Sequence, residues 1–350
     1  MLDHAINLVV TVKLELMFLT LFMFITVIFW NNLFQFLKLR AYKSKQRLHQ
    51  DEVPRVGGLI IFLFLSLIAF VKFEIDALNL LLISFMPLAF ISVKEDFFHN
   101  TTPKARLLAM MASCLIFLIF IPSQFPVIDI PYLKELINLK LIGLAFYTFS
   151  MLVIINGNNL IDGVNGNMGI TNLVQLLVLS ILGLKAGDYE FSNLCILFSI
   201  PLVVFLFFNF PYGKIFMGDL GAYFYGFTLS GLVIYFFGKY DNLLSWNAVL
   251  ILFYPAMELL FSFVRKKFFL KQSPLTPDAK HLHSLIYLLI KKSKKNFNNS
   301  YSLIFLFPFI FSALFVLISY NSLLKLIAII ILFSIFYISF YSIALLYLKR

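Results

Sequence analysis

Asn156–Asn167 reads N-G-N-N-L-I-D-G-V-N-G-N, and it lies between two long apolar runs, L-I-G-L-A-F-Y-T-F-S-M-L-V-I-I before it and M-G-I-T-N-L-V-Q-L-L-V-L-S-I-L-G-L after it. Runs of that length and polarity are what a helix needs to cross the hydrocarbon core of a bilayer, about 20 residues at 1.5 Å each. The stretch is therefore read as a polar hairpin between two membrane helices. Asn156, Asn159 and Asp162 recur every three residues, which on a helical turn sets them on nearly one face. Gly163 and Gly166 then break the helix and let backbone amides approach a ligand. Such a hairpin suits a metal–diphosphate or a sugar; the plain alternative is a tight loop, where Asn and Gly are common in any case.

The rest of the 350 residues repeats the flanking pattern. The chain is 61% hydrophobic and 13% charged, with a mean hydropathy of +0.93, whereas soluble domains are about 45–50% apolar and about 25% charged. A soluble globular fold is excluded. The apolar runs are continuous rather than alternating, which disfavours a membrane β-barrel. Spans are expected at 15–38, 57–73, 78–94, 105–122, 139–156, 168–184, 191–210, 218–238, 244–264, 301–319 and 323–347. The fold class is thus an all-α polytopic bundle of roughly ten or eleven spans, forming one integral-membrane domain over 1–350. The segment 123–138, with Pro126 and Pro131, reads as an extramembrane loop.

The net charge of +11 is concentrated in loops, so it signals topology and not nucleic-acid binding. Loop 38–56 holds Lys38, Arg40, Lys43, Lys45, Arg47 and Arg55; loop 94–106 holds Lys94, Lys104 and Arg106; loop 265–300 is the most basic. With eleven spans these fall on one side, which places the N-terminus outside and the C-terminus in the cytoplasm. Cys114 and Cys195 sit inside apolar runs and read as small core residues. No cleavable signal peptide is evident. The 44 phenylalanines read as mostly lipid-facing packing.

Five polar clusters fall on that same side: Pro54–Gly58, Glu95–Asp96, Asn156–Asn167, Lys214–Gly221 and Asp278–Ser284. Loop polarity without a purpose would be shared between both faces, so one site is expected from loops 38–56, 94–106, 156–167, 211–218 and 265–300. Glu95 and Asp96 can share a divalent cation or supply a base, though acids at a helix end are often only solvated. Arg55 and Arg106 are candidate phosphate contacts, with interfacial snorkelling the plainer reading for Arg106. Asp219, between two glycines where a helix opens, suits a metal ligand or a helix N-cap. His281 and His283 can meet a diphosphate or the leaving nucleotide, and the five histidines are too few and too scattered for a zinc site.

In order along the chain these are P-R-V-G-G, an acidic pair with an Arg about ten residues on, N-x-x-N-x-x-D-G-x-x-G, F-M-G-D-x-G and H-x-H in a basic loop. The set resembles the polyprenyl-phosphate N-acetylhexosamine-1-phosphate transferases, glycosyltransferase family 4, which include undecaprenyl-phosphate GlcNAc-1-phosphate transferase and the peptidoglycan translocase. The resemblance covers about Pro54 to Ser284. It implies transfer of a sugar-1-phosphate from a UDP-N-acetylhexosamine to undecaprenyl phosphate, release of UMP, and dependence on Mg2+, or Mn2+ in its place. It further implies a multi-pass enzyme of the bacterial inner membrane with a cytoplasmic site, initiating O-antigen, capsule or other cell-envelope glycans, and it allows a homodimer. Carried over residue by residue, Asp96 with Glu95 would be catalytic and Asp219 would bind the metal. Asn156, Asn159, Asp162 and Gly163 would hold nucleotide and sugar, and His281 and His283 the diphosphate. Arg55, Lys104 and Arg106 would supply positive charge for phosphates. Three departures stand out: Glu95 replaces the family's first Asp, Asn165 stands where a second Asp is frequent, and Ser284 where a further His is frequent. They favour an O-antigen or capsule-type member. The rival readings are a secondary transporter or lipid-carrier flippase, and a non-catalytic scaffold. A transporter would place ionisable groups near the bilayer midplane, whereas the helix centres here read as uncharged.

Overall fold

The computed structural model describes residues 13–36, 53–71, 76–128, 130, 132–273, 280–293 and 298–349. Asp278 and the basic residues of 38–47 fall outside that set. The elements are all helical: α1 Lys13–Phe36, α2 Gly57–Val71, α3 Asp76–Phe98, α4 Pro103–Phe120, α5 Leu133–Asn138, α6 Lys140–Ile161, α7 Asn167–Lys185, α8 Tyr189–Asn209 and α9 Gly218–Lys239. They continue with α10 Trp246–Ile251, α11 Phe253–Val264, α12 Leu282–Ser293, α13 Leu303–Ile310, α14 Val316–Ser319 and α15 Leu323–Lys349. Among the described residues, eight candidate spans are long and apolar enough to cross a membrane. The chain is an all-α polytopic membrane bundle.

One expected span changes and two expected segments gain detail. The expected 244–264 span is interrupted at Leu252 between α10 and α11, and Pro255 sits in the first turn of α11, where a missing N–H is tolerated. The expected 301–319 span is kept, as Asn299–Ser319, and is built from a succession of α and 3-10 turns. The loop at 123–138 contains the short helix α5 and is pinned to the bundle by the Tyr147 hydroxyl, which donates to the Pro126 carbonyl, and by Ser245, which donates to Val127.

The bundle is organised around α9. Of its 22 residues, 19 are buried, and it packs against α2, α3 and α6. In lipid there is no hydrophobic gain from hiding one apolar helix behind another, so close approach rests on small residues and dispersion contacts. Gly58 and Gly221 provide it where α2 meets α9: a Cβ on Gly58 would lie 2.2 Å from the Gly221 Cα. Phe62, Phe85 and Phe224 then interlock with ring centroids 5.1–5.6 Å apart. These rings are core, while many other phenylalanines, among them Phe70, Phe90 and Phe207, are exposed. By contrast α15 is mostly exposed and turns only a few residues, among them Phe333, Tyr337 and Tyr341, inward.

Candidate active site

Four of the polar clusters meet at the N-terminus of α9, and the histidines of the fifth join them only through Gly163, which His283 touches. Residues 54–58 run beside 216–217: the Phe216 amide donates to the Pro54 carbonyl (2.8 Å), Gly57 to Phe216 (3.0 Å) and Gly58 to Met217 (2.8 Å). The P-R-V-G-G and F-M-G-D motifs are thus one backbone-bonded unit. Gly218 has φ +78°, and a Cβ there would sit 2.6 Å from the Arg55 carbonyl and 2.8 and 2.9 Å from the two Asp96 carboxylate oxygens. Only glycine fits both the conformation and the approach.

Asp96 approaches because α9, like any helix, opens with amides that lack intrahelical partners. Its carboxylate accepts from the Asp219 amide at 2.8 Å and the Leu220 amide at 2.9 Å. Asp219 is therefore inside the first turn and is not its own helix's cap; Asp96, arriving from the end of α3, caps α9, where negative charge is favoured.

The Asp219 carboxylate receives three donors. Arg55 Nη2 lies 2.8 Å from Oδ1, Asn159 Nδ2 3.4 Å from the same oxygen, and Arg106 Nη1 3.2 Å from Oδ2. Arg55 also lies 3.5 Å from Asp96, and Arg106 3.9 Å from Glu95. Arg106 is engaged here and does not merely snorkel. Glu95 spends its other oxygen on Thr101, accepting from the amide (3.0 Å) and from the hydroxyl; it braces the turn that leads to α4. Lys104 is exposed.

The hairpin divides its work. Asn159 reaches Asp219, but Asn156 donates to the Leu152 carbonyl one turn back (2.8 Å). Asn158, fully buried, donates to the Ala222 carbonyl (2.7 Å) and ties α6 to α9. Asp162 follows the end of α6, half-buried, and its carboxyl is pushed up to about 8, by desolvation first, with Arg55 opposing and Asp219 and Asp96 adding to the rise. Asn165 is buried and donates to the Pro211 carbonyl (2.9 Å), a bond the frequent aspartate could not make.

His283 lies against Gly163, where a Cβ would come 2.0 Å from its Nε2. Burial pushes His283 down to about 4, Glu258 opposing and His281 adding to the shift, so it is neutral at pH 7. The two imidazoles are parallel, 5.8 Å apart. His281 Nδ1 is 3.0 Å from Glu258 Oε1. Glu258 was not foreseen, and it overturns the reading of uncharged helix centres: it is a lone carboxylate within the apolar stretch 244–264, and that isolation was the available signal.

Four carboxyl groups, Glu95, Asp96, Asp162 and Asp219, thus face two guanidiniums, Arg55 and Arg106. Among the described residues no group of three or more His, Cys, Asp or Glu side chains forms a ready metal cage. The donor set fits a hard cation of the Mg2+ kind, which takes one or two carboxylates and completes its shell with phosphate oxygens and water. The guanidiniums on Asp219 are also the fork-shaped donors that suit phosphates.

A site of this make-up suits phosphorylated compounds and a divalent cation. Residues 78–237 match the sequence profile of Glycosyl transferase family 4. It is 24% identical, over 69% of its length and 67% of the relative's, to a probable undecaprenyl-phosphate N-acetylglucosaminyl 1-phosphate transferase of Bacillus subtilis. It is 28% identical, over 72% of its length and 74% of the relative's, to an undecaprenyl-phosphate alpha-N-acetylglucosaminyl 1-phosphate transferase of Thermotoga maritima. A phospho-N-acetylmuramoyl-pentapeptide-transferase of Petrotoga mobilis is 24% identical over 63% of this chain and 74% of its own. The profile match ends before Glu258, His281 and His283.

Proposed function

We propose that the protein transfers an N-acetylhexosamine-1-phosphate from a UDP-sugar to a polyprenyl phosphate, undecaprenyl phosphate in a bacterium, and releases UMP. The supporting observation is the convergence of Arg55, Asp96, Arg106, Asn159 and Asp219 on the first turn of α9. In this reaction an acceptor phosphate oxygen bonds to the β-phosphorus of the donor. The bond from that phosphorus to the bridging oxygen breaks, and the oxygen leaves with UMP. The site faces the cytoplasm on this reading, where a soluble nucleotide sugar and an interfacial lipid phosphate can both arrive.

Asp219, with Asp162 beside it, would hold Mg2+ or Mn2+, which supplies charge neutralisation at the donor's phosphates when bound. Arg55 and Arg106 exchange their carboxylate partner for phosphate oxygens as substrates enter. Asn159, Asp162 and Gly163 shape the nucleotide and sugar subsite. Asp96, with Glu95 close by, is the group nearest the acceptor; activating it would require Asp96 to loosen one of its two amide bonds. The product begins a cell-envelope glycan, a cell-wall precursor or an O-antigen or capsule chain.

The test is UMP release by the purified protein given undecaprenyl phosphate and a panel of UDP-GlcNAc, UDP-GalNAc and UDP-MurNAc-pentapeptide, with and without Mg2+. One donor is expected to give turnover. Asp219→Asn is expected to abolish it in folded protein. No UMP from any donor at any Mg2+ concentration removes the proposal.

A further inference from the structure

Glu258, near the middle of α11, is buried, and every acceptor contact it makes leads to the histidine segment or to the last helix. Oε1 accepts the Leu282 amide, the first of α12, at 3.2 Å and faces His281 Nδ1 at 3.0 Å. Oε2 accepts the Tyr337 hydroxyl at 2.8 Å. Tyr337 comes from α15, a long helix with few buried residues, and its ring is clamped between Phe261 and Phe309 at centroid distances of 5.4 and 5.3 Å. One turn later the Tyr341 hydroxyl donates to the Lys280 carbonyl at 3.1 Å. The last helix therefore holds the chain around His281 twice: directly at Lys280, just before it, and through Glu258 at His281 and Leu282.

The hydrogen-bond roles follow from the donors present. Oε1 already accepts a backbone amide, and Oε2 accepts a phenol. A carboxylate in that position is an acceptor only, so His281 Nδ1 is the donor. This is the carboxylate–histidine arrangement that fixes which ring nitrogen carries the proton.

We propose that Glu258 and Tyr337 are positioning residues: they hold His281 as its Nδ1–H tautomer, so that any contact of this imidazole with substrate is made through Nε2. The inference rests on the transferase reading above for what that contact serves. A donor diphosphate is the substrate part the histidines would meet, across Gly163 and His283. On this view α15 is an arm of the site: the bond it makes to Glu258 sets the aim of a histidine more than fifty residues away in sequence.

Two measurements test it. The first reads the tautomer without any turnover: 15N imidazole NMR of the full chain in detergent at pH 9, with His281 assigned by its disappearance in His281→Gln. The wild-type signal is expected to show the proton on Nδ1, and Glu258→Gln a mixture of tautomers; a wild-type proton on Nε2 overturns the proposal. The second is a transferase double-mutant cycle. Glu258→Gln is expected to lower kcat by roughly tenfold to a hundredfold, as loss of a ligand's supporting partner does, with the donor KM little changed. Tyr337→Phe, which keeps the clamped ring and so the fold, is expected to lower kcat on the order of fivefold. Adding Glu258→Gln to His281→Gln should cost nothing further, and losses that multiply overturn the proposal. A wild-type protein that releases no UMP from any UDP-N-acetylhexosamine would sink the transferase reading, while the tautomer measurement would still decide the positioning.

Discussion

Replacing Asp96 by Asn separates two roles for that carboxylate. In the structure each of its oxygens accepts one amide of the first turn of α9, at 2.8 and 2.9 Å, and Arg55 stands 3.5 Å away. Asparagine is the same size but has one acceptor oxygen, so its amino group must face the second amide, donor against donor. One charge-assisted bond is lost, about 1.5–3 kcal/mol, and the negative charge at the helix N-terminus goes with it, about 0.3–1 kcal/mol. The expected destabilisation is about 2–4 kcal/mol. The assay is unfolding of the purified protein in mixed micelles of rising SDS fraction, followed by circular dichroism, with turnover measured per folded molecule. A variant within about 0.5 kcal/mol of wild type, the usual range for changes that disturb no such feature, would refute the reasoning and leave Asp96 as a purely chemical group.

Other outcomes follow from neighbouring residues. Asp162 has its folded-state pKa raised to about 8 from 3.8, so between those values the native state holds a proton that the unfolded state has lost. Its contribution therefore makes stability fall as pH rises from about 4 to 8, and Asp162→Asn is expected to flatten that slope in metal-free protein; an unchanged slope in a pH series of unfolding curves counts against the raised pKa of Asp162. Gly58→Ala would set a Cβ 2.2 Å from the Gly221 Cα and 2.3 Å from its nitrogen. Backbone cannot yield as a side chain can, so a loss at or above the ~1–3 kcal/mol of ordinary overpacking is expected, read as a lower SDS midpoint. Asn165→Asp puts an acceptor against the Pro211 carbonyl, now met by a donor at 2.9 Å; the expected loss is about 1–3 kcal/mol, and a neutral result by the same assay would free Asn165 for a role at the nucleotide.

Much of this protein was readable one stretch at a time. An apolar run of some twenty residues must close its own backbone hydrogen bonds in lipid, so it is a helix whatever its neighbours do, and the ends of α4, α7, α8 and α9 follow from where those runs stop, whereas α3 runs on to Phe98 and α6 to Ile161. The motif order and its placement on one side were readable for the same reason, since both depend on position along the chain and not on packing. Which side chain meets which was not. Asn156 and Asn159 look equivalent in sequence, yet only Asn159 reaches Asp219, because the rotation of α6 is set by its contacts with α9. Asp96 as the cap of a helix 123 positions away, and Arg55 bonded to Asp219 across 164, exist only because Gly58 and Gly221 let two backbones touch. Glu258 stood alone in its apolar run, and only folding brought it the histidine and the tyrosine that give it a use. Hydropathy sums over neighbours in the chain; tertiary packing chose the faces, and with them the site.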